Sequence, residues 1–585
     1  MIRRAGLLLA LVIVACDSKA IADPAGAPPD AATAPQAPAP ATAPPLPEPS
    51  LEVPEAVTID EETEGTIAID ARNLRRVDVG RLPPGARFDR AASAVVFRPD
   101  FTQSGTYTIQ VTGHAAGRAA PLERTVTVEV RDAVSPPAPV VTATTTGEGW
   151  TRLTVRQTTD TFLDSAGRAG RTFDAVVVVP TAATAQSRAP VRVSLHGFGG
   201  APSGTTTSTS AFVVAPHDPS NTYWWGYGEG MPAAIGGSVP AYTQRRVLHL
   251  LAWLLATYPG ADPERVFTTG GSMGGAGALT LGLLHARHFA GVDATIAPTI
   301  PKNHRPSRVT QLATLWGTID ADVGGVWDRM DLTRALRDDP EARDQFVFTK
   351  HGKDDPTIHF GAVLTPSPLT KKSFYETLES EHIGHLAVWD EGAHGPEDPV
   401  MGERWWDSGW SRVTDAKAFL RRDLPFPAFS RSSANEDPGD GGGNGKVTFD
   451  PESGYAANVG VAGDTGWSGA VAGSLNRFLR WDATRFVDAR DRLVMPLFLA
   501  SGAGAPSPQA GYPTRGDQRS GDGAIEVHVT PRRATFFRPL PGETVRFRFG
   551  SRTGTVTAAA DGSVTVPGVA VTSTETTLEL ERDPP

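Results

Sequence analysis

The stretch that most constrains this chain is Val266-Phe267-Thr268-Thr269-Gly270-Gly271-Ser272-Met273-Gly274-Gly275-Ala276-Gly277-Ala278-Leu279. An apolar, β-rich run leads into it, and the helix-forming run Ala-Gly-Ala-Leu-Thr-Leu-Gly-Leu-Leu follows from Ala276. The pattern predicts a buried strand, a sharp turn with Ser272 at its apex, and a helix running away. Gly270, Ser272 and Gly274 form G-x-S-x-G. A serine at such an elbow needs unusual backbone angles, so its neighbours must lack bulk. The chain has 61 glycines, so the motif alone is cheap; the strand before it and the helix after it make it specific. The plainer reading is a glycine-rich strand–helix turn without chemistry.

At 585 residues the chain is too long for one core, and three to four domains are expected. A net charge of −10 and the lack of a basic patch leave no electrostatic footprint for nucleic acid. Cys16 is the one cysteine, which excludes an intrachain disulfide. It follows a short basic start, Met1-Ile2-Arg3-Arg4, and an apolar run over 5–14 that is too short to span a bilayer. Ile13-Val14-Ala15-Cys16 resembles the lipobox of bacterial lipoproteins. That resemblance implies cleavage before Cys16, lipidation of its thiol, and an extracytoplasmic place on a bacterial membrane. Each buried CH2 of an acyl chain contributes about 0.8 kcal/mol to such anchoring. The alternative is a secretory signal with a chance cysteine.

Residues 17–54 are rich in Ala and Pro with few large apolar side chains, which makes them a linker in extended geometry. Alternation from residue 55 to 133 predicts short strands and a small β-sandwich. Its Pro83-Pro84-Gly85 turn and Gly105-x-Tyr107 resemble the Ig-like modules of bacterial surface proteins, Tyr107 matching their tyrosine corner. Residues 140–424 alternate strand and helix patterns, which argues an α/β domain with a mostly parallel sheet and helices on both faces. Within it, strands are expected at 191–195, 211–216, 292–296, 312–316, 346–349 and 386–389, and helices at 242–258 and 372–379. Residues 425–445 read as a second linker. A C-terminal β-sandwich over 446–585 has a hairpin signal at Asp561-Gly562.

Three motifs of the central block, in this order, resemble the α/β-hydrolase family: His196-Gly197-Phe198-Gly199-Gly200, the elbow at Ser272, and Gly392-Ala393-His394-Gly395. The resemblance covers about half of the chain and is nearest to secreted esterases and depolymerase-like enzymes. It implies Ser272 as nucleophile, His394 as base, and a carboxylate that orients the imidazole. It also implies oxyanion donors at the N–H of Met273 and of Phe198 or Gly199. Two aspartates match G-x-x-D after an expected strand, Asp320 and Asp355. One helix and one strand normally separate acid from histidine, which favours Asp355 and keeps Asp320 as the alternative. Asp354 and Asp322 are further candidates. Trp224, Trp225 and Tyr227 are expected in a loop at the mouth, where either a sugar or aromatic acid stacks on them or they pack beneath a lid. Trp405, Trp406 and Trp410 are expected to pack a last helix. No pattern calls for a metal or cofactor.

The expected function is therefore hydrolysis of carboxylic esters through an acyl-enzyme, on polymeric or glycan-linked substrates outside the cytoplasm. Rival readings are a prolyl-oligopeptidase-like peptidase, for which the N-terminal β region is too short to be a propeller, and a non-catalytic adhesion or glycan-binding lipoprotein.

Overall fold

A ten-stranded mixed sheet organises the molecule. In chain order its strands are β1 (Val140–Gly147), β2 (Trp150–Thr158), β3 (Thr172–Pro180), β4 (Ala189–Leu195), β5 (Phe212–Ala215), β6 (Ala261–Gly271), β7 (Gly291–Thr295), β8 (Phe346–Gly352), β9 (Gly384–Asp390) and β10 (Gly473–Leu475). The spatial order is β1-β2-β3-β5-β4-β6-β7-β8-β9-β10. The six strands β5-β4-β6-β7-β8-β9 are mutually parallel, while β1–β3 and β10 join antiparallel. The chain leaves β4 for β5 on one side and then crosses to β6 on the other. That reversal opens a crevice at the carboxyl ends of β4 and β6, the place where open α/β sheets bind ligands.

The computed structural model describes residues 47–116, 120–231, 237–321, 325–353, 355–390, 392, 394, 420–442, 449–450, 455–456, 467–470, 473–499 and 523–583. The expected leader with Cys16, most of the first linker, Asp322, Asp354, Trp405, Trp406 and Trp410 lie outside them. Residues 49–585 form one compact unit, to which everything below belongs.

Helices α1 (Tyr242–Thr257) and α2 (Met273–Leu284) bury Val247, Leu250, Leu251 and Leu254 of α1 and nearly all of α2 in one core with Val193, Val266, Val347, Ala387 and Trp389 of the sheet. The intervening residues of these strands face the other way. Phe267, Phe346, Phe348, Leu386 and Val388 share a core with Phe426, Phe429, Phe478 and Trp481. Among the described residues this second face is thus covered by the C-terminal module, not by the helices expected on both faces. The reason is the period-2 alternation of side chains along a strand. Apolar residues on both faces demand a cover on each side, without saying whether it is helix or sheet.

The C-terminal module has a three-stranded sheet and a six-stranded one. Phe426–Ser430, read in sequence as linker, is a strand that pairs with Ile525–Arg532. β10 lies beyond that linker and pairs with β9, so the central sheet runs past the expected boundary at 424. The turn at Asp561-Gly562 is not a hairpin. It connects Arg552–Thr557 to Val566–Val571, which belong to different sheets. The hairpin turn sits at Gly550-Ser551, where Phe549 faces Arg552.

The N-terminal module has a four-stranded and a three-stranded sheet, with a further two-stranded pair, around Ile59, Ile67, Val95, Phe97, Ile109, Val126 and Val128. Tyr107 Oη donates to the Gln103 carbonyl at 2.8 Å. His288 of the central domain sits 2.6 Å from Asp100 Oδ2 and joins the two modules.

One expected strand is a helix. Residues 312–316 end α3 (Pro306–Trp316), which starts on Pro306 at a position that needs no N–H. Leu312, Leu315 and Trp316 are its buried residues, at helical spacing.

Candidate active site

Ser272 closes β6 and caps α2 with φ 58° and ψ −124°, a conformation that costs on the order of 1–3 kcal/mol outside glycine. The surroundings impose it. Ser272 N–H donates to the Thr295 carbonyl at 3.0 Å, and its own carbonyl accepts from Ala276 at 3.0 Å. Gly274 cannot carry a side chain, because a Cβ there would stand 2.1 Å from the Leu195 carbonyl oxygen. A Cβ at Gly270 would stand 2.3 Å from the Gly274 oxygen. The backbones of β4, β6 and α2 therefore meet at contact distance, and the serine is held at the positive end of a helix that is buried over all but its last residue.

Asp355 follows β8, and its side chain is inaccessible to solvent. Its Oδ1 accepts the N–H groups of Thr357 at 2.7 Å and Ile358 at 2.9 Å. His394, in the segment after β9, places Nδ1 at 2.8 Å from Asp355 Oδ2 and 3.0 Å from Oδ1. β8 and β9 run side by side with Gly352 opposite Asp390, so the two loops leave the sheet together. A carboxylate on Nδ1 fixes that nitrogen as the donor and leaves Nε2 to accept a proton. Asp320 lies on the exposed segment beyond α3. It follows a helix, so it lacks the strand end that made it a candidate.

The loop after β4 reaches the serine. A Cβ on Gly197 would lie 4.0 Å from Ser272 Cβ. His196 shapes this loop: its Nε2 accepts the Asp218 N–H at 3.0 Å, and Nδ1 donates to the Gly197 carbonyl at 2.8 Å. The N–H of Gly199 donates to Asn221 Oδ1 at 2.7 Å, so Gly199 is not available as an oxyanion donor. None of the described hydrogen bonds begins at the N–H of Phe198 or Met273. Met273 opens α2, where the first N–H groups have no intrahelical acceptor.

The aromatic segment does not form a stacking surface at the mouth. Trp224 is 1% exposed, Trp225 5% and Tyr227 1%. Trp224 Nε1 donates to the His196 carbonyl at 3.2 Å, Trp225 Nε1 to Val239 at 3.1 Å, and Tyr227 Oη to Asp164 Oδ1 at 2.5 Å. The Trp224 ring fits a notch that Gly277 leaves in α2, where a Cβ would stand 2.3 Å from it. Asp218, fully buried, anchors the turn by accepting from Thr222 N at 2.7 Å, Thr222 Oγ1 at 3.0 Å and Trp224 N at 3.3 Å; burial pushes its carboxyl up. Trp224 thus supports the loop after β4 through the His196 carbonyl.

Two supporting residues escaped the sequence reading. Asn221 sits at φ 52°, a left-handed position for which Asn is suited, and that suitability was the available signal. Lys353, fully buried, donates from Nζ to the carbonyls of Ser468 at 2.9 Å and Ala470 at 2.6 Å. Burial lowers its amine to about 8. No local pattern announces that tie, because its acceptors lie more than a hundred residues away.

No family model matches the chain, and no curated protein matches it. Among solved structures it is similar to an S-formylglutathione hydrolase from Agrobacterium tumefaciens, with 19% identity, 44% of this chain and 92% of that chain covered, and a TM-score of 0.32. It is also similar to a ferulic acid esterase at 18% identity, covering 46% and 98%, TM-score 0.31. A third is an acylaminoacyl peptidase from Pyrococcus horikoshii at 13% identity, covering 50% and 51%, TM-score 0.29. At these TM-scores and identities the likenesses carry no argument about what this chain does.

Proposed function

We propose that this chain is a serine hydrolase of carboxylic esters, built on an α/β-hydrolase domain and working through an acyl-enzyme. The observation that carries the reading is the 2.8 Å contact between His394 Nδ1 and Asp355, made by the segments that follow β8 and β9, at the same carboxyl end of the sheet as the strained Ser272. Ser272 Oγ attacks the ester carbonyl while His394 Nε2 takes its proton. Asp355 holds the imidazole tautomer and stabilises the cation that forms. The tetrahedral oxyanion accepts from the N–H groups of Phe198 and Met273, each such donor contributing about 3–4 kcal/mol. Collapse breaks the ester C–O bond, and His394 returns its proton to the leaving alcohol. Water then attacks the acyl-enzyme by the same steps, with His394 again the base, and the acid product leaves with Ser272 restored.

The exposed His394 suits a substrate approached from bulk solvent. Together with the lipobox resemblance at Cys16, this supports an envelope enzyme tied to a bacterial membrane and acting on polymeric or glycan-linked esters. The test is labelling of the purified protein with a fluorophosphonate probe. Covalent labelling of the wild type, abolished in Ser272→Ala, is expected; an unlabelled but folded wild type would sink the proposal.

A further inference from the structure

The mouth of this site carries positive charge without a partner. Arg308 of α3 lays its guanidinium over the ring of Phe198, 4.1 Å from the centroid, and Phe198 follows Gly197, where a Cβ would come within 4.0 Å of Ser272 Cβ. Phe198 is 44% exposed, so the face of Arg308 that lies over it is reached from solvent. Arg308 is braced by its bond to Gln311 Oε1 and lies near Tyr223 as well. Arg305, one turn earlier, is the second cation here; its charge reaches Tyr223 and His304. Neither arginine has a carboxylate within ion-pair distance among the described residues, and the Nε of each is buried without a hydrogen-bond partner. The nearby Lys302, by contrast, is neutralised by Asp328 at 2.5 Å. Arg308 therefore brings an unpaired guanidinium onto the loop that reaches Ser272, and a cation held there needs a role.

We propose that Arg308, with Arg305 beside it, makes this site select esters that carry a carboxylate close to the scissile bond. A guanidinium stacked on an aromatic face keeps N–H groups along its edge; in Arg308 Nε is buried and Nη1 is bonded to Gln311, which leaves Nη2 for the oxygens of a carboxylate. The stacking also fixes the group, so little freedom is lost when the anion arrives. The selection rests on Ser272 being the nucleophile of an ester hydrolase. The carboxylate can belong to the acyl or the alcohol half of the ester, and the two halves are separable by experiment.

Two matched pairs test it: 4-nitrophenyl adipate against 4-nitrophenyl heptanoate for the acyl half, and 4-acetoxybenzoate against its methyl ester for the alcohol half. The wild type is expected to favour the carboxylate member in one pair. In Arg308→Gln, kcat/KM for that member should fall about 10- to 100-fold, with the neutral member changed less than about threefold. Arg308→Lys should keep part of the preference, and salt should weaken it. Equal losses on both members would show that Arg308 only braces Phe198 and would overturn the selection, as would the absence of any carboxylate-specific loss in both pairs. A folded wild type that cleaves none of the four esters and takes no fluorophosphonate would instead overturn the hydrolase reading beneath it.

Discussion

His394 Nδ1 and Asp355 Oδ2 stand 2.8 Å apart, and two backbone N–H groups hold the other oxygen, Oδ1. The carboxylate therefore cannot turn away from the imidazole. Asp355→Asn would present an amide that offers N–H or C=O to Nδ1 and can favour the wrong tautomer. We expect kcat to fall on the order of 10^4-fold. Asp320→Asn, on an exposed segment past α3, should stay within about twofold of wild type. Steady-state kinetics on an activated aryl ester separates the two. A large loss in Asp320→Asn alone would reverse the assignment.

Asn221 controls the loop opposite the serine by accepting from Gly199 N–H at 2.7 Å. Asn221→Ala releases that N–H and also removes a residue suited to φ 52°. The Phe198 N–H should then be poorly aimed, and kcat should drop about tenfold, a fraction of the full loss of one oxyanion donor. Asn221→Gly restores the backbone angle without the hydrogen bond. Equal kcat in the Ala and Gly variants is expected if the hydrogen bond dominates. Full activity in Asn221→Gly would assign the effect to backbone strain instead.

The parts of the site that were legible in the sequence are those built from near neighbours. Gly270, Ser272 and Gly274 announce themselves because they fall within five residues of one another, although the carbonyl that Gly274 must clear belongs to the distant Leu195. His394 was legible because it follows a short apolar strand. The choice between Asp355 and Asp320 was harder, since 312–316 is a short apolar run that suits a strand or a buried helix turn equally. Its start at Pro306 was the clue that it belonged to a helix. Trp224 was misplaced because burial of an aromatic residue depends on the notch at Gly277, and two residues that meet across fifty positions leave no periodic trace. The same holds for β10, which reaches β9 from the far side of the linker, and for Arg308, whose partner Phe198 is on another strand's loop.

Acid should destabilise this fold through histidines buried in the neutral state. His351 on β8 has both ring nitrogens buried without a hydrogen-bond partner, and burial lowers it to about 4. His285 is lowered to about 3 for the same reason, its Nε2 lying 3.0 Å from Gln244 Oε1. An unfolded histidine titrates near 6.5. Between that value and about 4 the unfolded chain binds more protons than the folded one, so stability falls with falling pH across this window. Above about 6.5 the contribution is complete. Chemical denaturation from pH 8 to 4.5 should show the decline beginning below pH 7, and His351→Leu should make it shallower. An unchanged slope in that variant would show that His351 is not among the groups responsible.

Lys353 couples the acid-bearing loop to the C-terminal region. It sits two residues before Asp355 and donates to the carbonyls of Ser468 and Ala470; its own N–H donates to Asp390 at 2.7 Å, on the strand that leads to His394. Lys353→Met keeps an unbranched apolar stem but removes the donor and the cation over the Phe360 ring. Ala470 keeps a partner in Trp389 Nε1 at 3.0 Å, so the carbonyl left bare is that of Ser468. One unsatisfied buried carbonyl costs about 1–3 kcal/mol, partly offset because a cation no longer has to be buried. We expect a loss of about 1 kcal/mol in denaturant unfolding. A several-fold fall in kcat, with KM little changed, is also expected, because a loosened loop misplaces Asp355 more than it alters substrate contacts. Lys353→Arg, too bulky for the site but still a donor, should lose more stability than Lys353→Met. If Lys353→Met unfolds as the wild type does and keeps its kcat, the tie to residues 468–470 has no part in holding the acid in place.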